Sequence, residues 1–352
     1  MRVTVTGAGG YVGSRLVPAL VADGHDVTAT FTHLASADRF WWAGRVRAVQ
    51  MDVLDRAAVR RACADAEVLY YLVHGLGGDD FAARDRQGAY NAAHAAVRCG
   101  VGRVVYLGGL VPDVPDEELS AHLRSRLEVE EILTDSGVTT TALRAAMVVG
   151  SGSTSFEIMR QLSEHLPVQV LPSWMRSEVE PVAVNDVVTA LVGALTAPEV
   201  SRAYDIGSGE RMPYAGLLRL YADRAGLTRV QVSVPFLPTR LVGRLAPVLT
   251  AAPASTVHTL VESLRHDMVC GDQDFLTDLL PERYALTSVA DAVDRALALP
   301  DARTPDGDRD IVGPLRSDSR WAGGQVTRDG DRPVHHRTGS RADLLLGPPP
   351  VA

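Results

Sequence analysis

The stretch MRVTVTGAGGYVGS, Met1 to Ser14, decides the fold. Arg2 to Thr6 alternates and is rich in β-branched residues, the pattern of a short strand. Gly7, Gly10 and Gly13 follow at three-residue intervals. An apolar-periodic segment through Tyr11, Val12, Leu16, Val17, Leu20 and Val21 then runs to a break at Gly24. Strand, glycine turn and helix in that order make a dinucleotide-binding turn. Gly7 permits the tight turn, Gly10 lets backbone approach a pyrophosphate, and Gly13 lets the helix pack close to the strand. The helix N-terminus offers free N–H groups and partial positive charge to the phosphates. Tyr11 and Val12 lie inside this turn, and Tyr11 reads as cofactor packing.

Downstream, strands alternate with helices. Asp26–Phe31, Arg45–Gln50, Val68–Val73, Val101–Leu107 and Thr139–Val149 read as strands two to six. Helices are expected from Asp55 to Cys63, Asp80 to Cys99 and Glu117 to Ser136. VLYYLV from Val68 is a continuous apolar run, as in a parallel strand buried on both faces. This spacing predicts an α/β fold, a doubly wound parallel (Rossmann) sheet occupying residues 1–150, with ligand outside the carboxyl ends of the strands. After the second strand no carboxylate stands where a ribose 2′-OH would meet it. Thr32, His33, Ser36 and Arg39 could instead surround a 2′-phosphate, a slight lean to NADP over NAD, or be ordinary loop polars. Asp52 and Val53 are expected to border the adenine, and Gly108 to face the cofactor.

Residues 151–299 are less regular and are expected to form a smaller substrate-covering region interleaved with the end of the core sheet. Within it Pro235–Val257 is apolar and proline-broken, read as a pocket roof in preference to a membrane-surface segment. Pro300–Ala352 carries only Asp and Arg as charges, with Gly and Pro throughout, and is expected to be a disordered tail. His335–His336 in it reads as a solvated pair, not a metal site.

Composition narrows the function. A net charge of −8 with no basic stripe argues against nucleic-acid binding. Three scattered cysteines, Cys63, Cys99 and Cys270, fit a reduced, cytoplasmic setting without metal. No signal peptide or membrane span is expected, peripheral membrane contact stays open, and oligomeric state is not legible. All 35 residues counted as Lys+Arg are arginine. Lysine Schiff-base chemistry is thereby excluded.

TGAGGYVG (Thr6–Gly13), Asp52-Val53, YLGGL (Tyr106–Leu110), LRAAMVVG (Leu143–Gly150) and VAVNDV (Val182–Val187) resemble the extended and atypical short-chain dehydrogenase/reductase superfamily, over about residues 1–299. Within it the chain is most similar to the NmrA-like branch of NAD(P)-binding proteins, which includes the Rossmann accessory subunit of respiratory complex I. Ordinary members work through Ser, Tyr and Lys, the last two four apart on one helix. The resemblance places Gly108–Gly109 at the serine, His122 at the tyrosine and Arg126 at the lysine. An imidazole can pass a proton near neutral pH, and an arginine can hold ribose hydroxyls or a substrate oxyanion but cannot act as a base. His74, closing the fourth strand, is a second proton-donor candidate. The competing reading makes Ser120, His122, Arg124 and Arg126 a solvated face, with Arg126 paired to Glu130. The resemblance thus implies an NAD(P)-dependent oxidoreductase of a small, mostly apolar carbonyl, enone or imine compound. The alternative is a non-catalytic NAD(P)(H)-binding sensor or assembly protein.

Overall fold

The computed structural model describes residues 1–75, 80–234, 250–252, 254–319, 321–322, 326–330 and 332–335. Its elements in chain order are β1 (Arg2–Thr6), α1 (Tyr11–Ala22), β2 (Asp26–Phe31), β3 (Arg47–Gln50), α2 (Arg56–Ala62), β4 (Val68–Tyr71), α3 (Phe81–Cys99), β5 (Arg103–Gly109), α4 (Ala121–Thr134), β6 (Thr139–Ala145) and β7 (Met147–Val149). There follow α5 (Thr154–His165), β8 (Val168–Pro172), β9 (Glu178–Val179), β10 (Pro181–Ala183), α6 (Val184–Gly193), β11 (Arg202–Ile206), β12 (Met212–Pro213) and α7 (Tyr214–Arg224). The rest are β13 (Val230–Val234), α8 (Ala254–Ser263), α9 (Phe275–Asp278), α10 (Val289–Leu297), β14 (Val326–Asp329) and β15 (Arg332–His335).

The chain divides into two units, each assembled from three segments: Met1–Ala146, Val184–Ser208 and Val269–Leu286, then Met147–Ala183, Gly209–Met268 and Thr287–Ala352. The first holds a seven-stranded sheet in the order β11-β6-β5-β4-β1-β2-β3, every pair parallel. Val68–Tyr71 is buried throughout, which is why it reads as an unbroken apolar run. The strand order reverses between β1 and β4, so the turns after those two strands form the crevice in which such sheets take ligands. Beneath one face, Leu69, Tyr71, Val104 and Tyr106 pack on the alanine-rich side of α3 and on Val129 and Leu133 of α4. The doubly wound parallel sheet expected from the sequence is thus present.

The second unit contains the parallel pairs β7–β10 and β8–β13 and the antiparallel pairs β9–β12 and β14–β15. The stretch Thr139–Val149, read as one strand, is two, interrupted at Ala146 and shared between the units. The expectation of a structureless tail fails for the described residues beyond Pro300. Val312 is fully buried and its carbonyl accepts from Ser151 N–H at 2.8 Å, while β14 and β15 form a hairpin. Buried apolar side chains outweigh the Asp, Arg, Gly and Pro of this stretch. The expected pocket roof falls largely on residues 235–249 and 253, and His336 with the rest of the chain after it, all outside the described residues.

Candidate functional site

The glycine turn has the geometry its spacing predicts. Gly7 has φ +72°, and a Cβ there would stand 2.9 Å from the Leu72 carbonyl oxygen. A Cβ on Gly13 would stand 2.2 Å from the Gly7 carbonyl oxygen, so α1 can lie this close to β1 only with glycine. Gly10 differs: a Cβ would meet only the Gly7 oxygen, at 3.1 Å, and its outer side is open. Gly10 is the N-cap of α1, without a side-chain cap, and no acidic residue lies in the first turn. The first N–H groups of α1 and the positive end of its dipole are therefore free of local carboxylates, as a diphosphate requires. Arg15 is buried below the turn, its guanidinium 4.1 Å from the Tyr11 ring centre and its Nη1 donating to the Tyr11 carbonyl at 3.2 Å. It adds a cation that sequence reasoning missed, although its place two residues after Gly13 was visible.

Around β2, Phe31, Phe40 and Trp42 stack, and the Trp42 indole donates to the Ser14 carbonyl at 3.0 Å. This cluster carries the intervening loop. Thr32, His33 and Arg39 are exposed there, with the Arg39 guanidinium 5.7 Å from the Phe40 ring centre. Asp52 is exposed and accepts from Leu54 N–H at 2.9 Å. The Val53 carbonyl is held by the buried Asn91 amide at 2.8 Å, a tie from α3 that fixes this loop.

Four polar residues gather where β4, α3 and α4 meet. On α4, His122 and Arg126 lie one turn apart and only 8% and 7% exposed, and Ser120 is buried as well. The solvated-face reading therefore fails for three of its four residues; Arg124 alone is exposed. Its ion pair fails too, because Glu130 holds Arg144 through two bonds of 2.9 and 2.6 Å. Asp85 of α3, 6% exposed, accepts from Gly75 N–H at 2.7 Å and from the Ser125 hydroxyl at 3.3 Å. It thus joins the turn after β4 to both helices. Sequence reasoning missed Asp85, though its signal was present: a carboxylate in register with Gly88, Ala89 and Ala92 on the buried side of α3. Arg126 Nε and the Tyr71 hydroxyl are buried with no hydrogen-bond partner among the described residues.

Electrostatics separate these groups. Burial first, and then the Arg126 charge, push the His122 imidazole down to about 3. His74 presents surface to solvent, yet the mass of protein around it, then Arg126 and His122, holds it well below the usual imidazole value. In both rings the shift favours the neutral imidazole, and the leading cause is desolvation, which no spacing reveals. Asp85 is raised, because loss of water outweighs the Gly75 hydrogen bond and the Arg126 charge. Burial likewise raises the Tyr71 and Tyr106 phenols. Gly108 explains the missing serine: a Cβ there would stand 2.7 Å from the Tyr106 ring, whose hydroxyl donates to the Arg126 carbonyl at 3.2 Å. No group of His, Cys, Asp and Glu suited to a metal ion occurs among the described residues, and none of the described helices is long and apolar enough to cross a membrane.

A turn built for a diphosphate at the switch point of a parallel sheet defines a nucleotide-binding Rossmann protein. Residues 7–191 match the family model described as NAD(P)H-binding, and the chain belongs to that family. Its cofactor is NADP or NAD. The chain is 30% identical over 275 residues to a 3-diazoavenalumate denitrifying reductase of Streptomyces sp., covering 69% of this chain and 88% of that protein. It is 29% identical over 150 residues to an uncharacterized protein of Mycobacterium tuberculosis, of which it spans 15% of the length. Among solved structures it is similar to the Citrobacter sp. triphenylmethane reductase complexed with NADP(H), with TM-score 0.65, 18% identity and coverage of 84% and 100% of the two chains. It is also similar to the NADPH-dependent quinone oxidoreductase of Escherichia coli, with TM-score 0.65, 19% identity and coverage of 83% and 98%. At these identities the likeness shows the fold, which agrees with the superfamily resemblance.

Proposed function

We propose that the chain is an NAD(P)-dependent oxidoreductase that reduces a small, mostly apolar carbonyl, enone or imine compound at the cluster of His74, Asp85, His122 and Arg126. The observation that carries this reading is the buried His122–Arg126 pair, set one helical turn apart beside the Gly108–Gly109 end of β5, with Arg126 Nε lacking an acceptor. The Streptomyces relative extends the substrate panel to diazo compounds by its name.

In this reading Gly7, Gly10, Tyr11, Val12 and Gly13 hold the diphosphate, and Asp52 and Val53 border the adenine. Thr32, His33 and Arg39 take a 2′-phosphate, which favours NADP(H). The Gly108 backbone lies along the reacting end. When bound, the reduced dinucleotide supplies a hydride. His122, being neutral, donates its N–H to a substrate oxygen or nitrogen without surrendering the proton, and His74 is a second such donor. Arg126 holds ribose hydroxyls or developing negative charge.

Titration with NAD, NADH, NADP and NADPH, followed by turnover of His122→Ala, tests this reading. The expected result is preferential binding of one pair and lowered turnover with nearly intact cofactor affinity. Unchanged turnover removes His122 from the mechanism. Equal affinity for oxidised and reduced forms, with no consumption across a carbonyl and diazo panel, leaves the sensor or assembly reading that the missing serine, tyrosine and lysine favour.

A further inference from the structure

Arg126 is a buried cation with an unused donor. No carboxylate lies within ion-pair distance of its guanidinium among the described residues. The acids nearby are engaged elsewhere: Asp85 with Gly75 and Ser125, Glu130 with Arg144. A guanidinium held this way is costly until something electron-rich completes it. The groups that could act as an acid here are committed or poor. The chain contains no lysine, the serine position is Gly108–Gly109, and the Tyr106 hydroxyl is committed to the Arg126 carbonyl. The Tyr71 hydroxyl lies packed under α3 against Gly88, where burial weakens it as an acid, and burial favours the neutral form of both histidines.

Resting on the function proposed above, we propose that Arg126 Nε receives the negative charge that develops on the substrate, and that the substrates are conjugated carbonyls, quinones and extended enones, in place of simple ketones and aldehydes. The substrate gains a hydride, two electrons with one hydrogen nucleus, from the reduced nicotinamide, which is left oxidised. In an enone the new C–H bond forms at the β-carbon, the C=C pair shifts toward the carbonyl carbon, and the C=O pair settles on oxygen. In a quinone one oxygen gains the hydrogen and the other becomes a phenolate. A water proton arrives afterwards, on the phenolate oxygen or on the α-carbon of the enolate. A phenolate, whose conjugate acid has a pKa of about 10, can wait for it. A simple ketone would give an alkoxide, about as basic as hydroxide, which needs an acid during the transfer. A fixed guanidinium suits the first case and not the second.

The test uses p-nitrophenol as a stand-in for the reduced, anionic product, bound to the full chain in the presence of oxidised cofactor and titrated by its phenolate absorbance. The apparent pKa of the bound phenol should fall by about one unit or more, a tenfold preference for the anion. Arg126→Met should abolish the fall and Arg126→Lys restore part of it. An unshifted phenol on the wild-type chain overturns the proposal whether or not the variants fold, as does a shift retained by a folded Arg126→Met. In turnover, a naphthoquinone should exceed benzaldehyde by on the order of a hundredfold. Equal use of benzaldehyde, or preference for a triarylmethyl cation dye, overturns it. If no nicotinamide dinucleotide binds, the oxidoreductase reading itself falls; if one binds and the phenol does not shift, only the role of Arg126 and the substrate class fall.

Discussion

A Cβ on Gly108 would meet the Tyr106 ring at 2.7 Å, whereas one on Gly109 has ordinary contacts with Leu123 and Arg126 at 3.7 and 3.8 Å. Gly108→Ser should therefore cost about 1–3 kcal/mol through forced movement of Tyr106, read as a lowered Tm, while Gly109→Ser should be close to neutral. His122 makes a pH prediction. Its imidazole sits at about 3 in the folded chain against 6.5 ordinarily, so the unfolded chain binds the extra proton between those values. Stability from this group is complete above about pH 6.5 and is lost as pH falls toward 3. Denaturant melts of His122→Gln should show a shallower loss over that window than the wild type; an unchanged slope would show that the ring is hydrated. At this scale the sequence was legible where spacing fixes a face, as with His122 and Arg126. Asp85 shares the face of Gly88, Ala89 and Ala92, but a carboxylate on that face is read as a surface residue until Gly75 and Ser125 are seen against it.

Among the elements, β1, the glycine turn and α1 were readable because three glycines answer to three backbone constraints. Gly13→Ala, with its Cβ 2.2 Å from the Gly7 oxygen, should displace α1 and weaken dinucleotide binding at least tenfold, measured by fluorescence titration. A second close approach escaped notice: a Cβ on Gly193 of α6 would stand 1.7 Å from the Leu279 carbonyl oxygen at the end of α9. Gly193→Ala should accordingly destabilise the first unit by about 2 kcal/mol or more. Nothing in the local pattern announces it, since the partner lies 86 positions away, from 193 to 279. The start of α4 was misplaced for a physical reason. Glu117 and its neighbours are good helix formers, but Pro115 and the acidic run settle into a 3-10 turn at Asp116–Glu118, and Ser120 caps the true helix through Leu123 N–H at 3.3 Å.

For the whole molecule, the decisive contacts of the second unit are long-range and were hidden from pattern reading. Arg160 is flanked in α5 by Glu157 at 3.7 Å and Glu164 at 3.2 Å, all three buried. Arg160 Nη2 donates to the Val326 carbonyl at 2.8 Å, and Glu164 accepts from the Tyr221 hydroxyl at 2.8 Å and from Val326 N–H at 3.3 Å. Arg160→Leu should leave two uncompensated buried carboxylates and cost about 3–5 kcal/mol, visible as early unfolding on heating. The same bonds show why a stretch read as tail is part of the fold: β14 completes the polar groups of α5. The chain crosses between its two units after Ala146, Ala183, Ser208, Met268 and Leu286. Neither unit can therefore be expressed as an unbroken fragment. During synthesis, β11, the last strand of the large sheet, leaves the ribosome only after the first segment of the other unit, Met147–Ala183, has been made, so the nascent sheet must wait with the β6 edge uncovered, the stage at which a chaperone would find it.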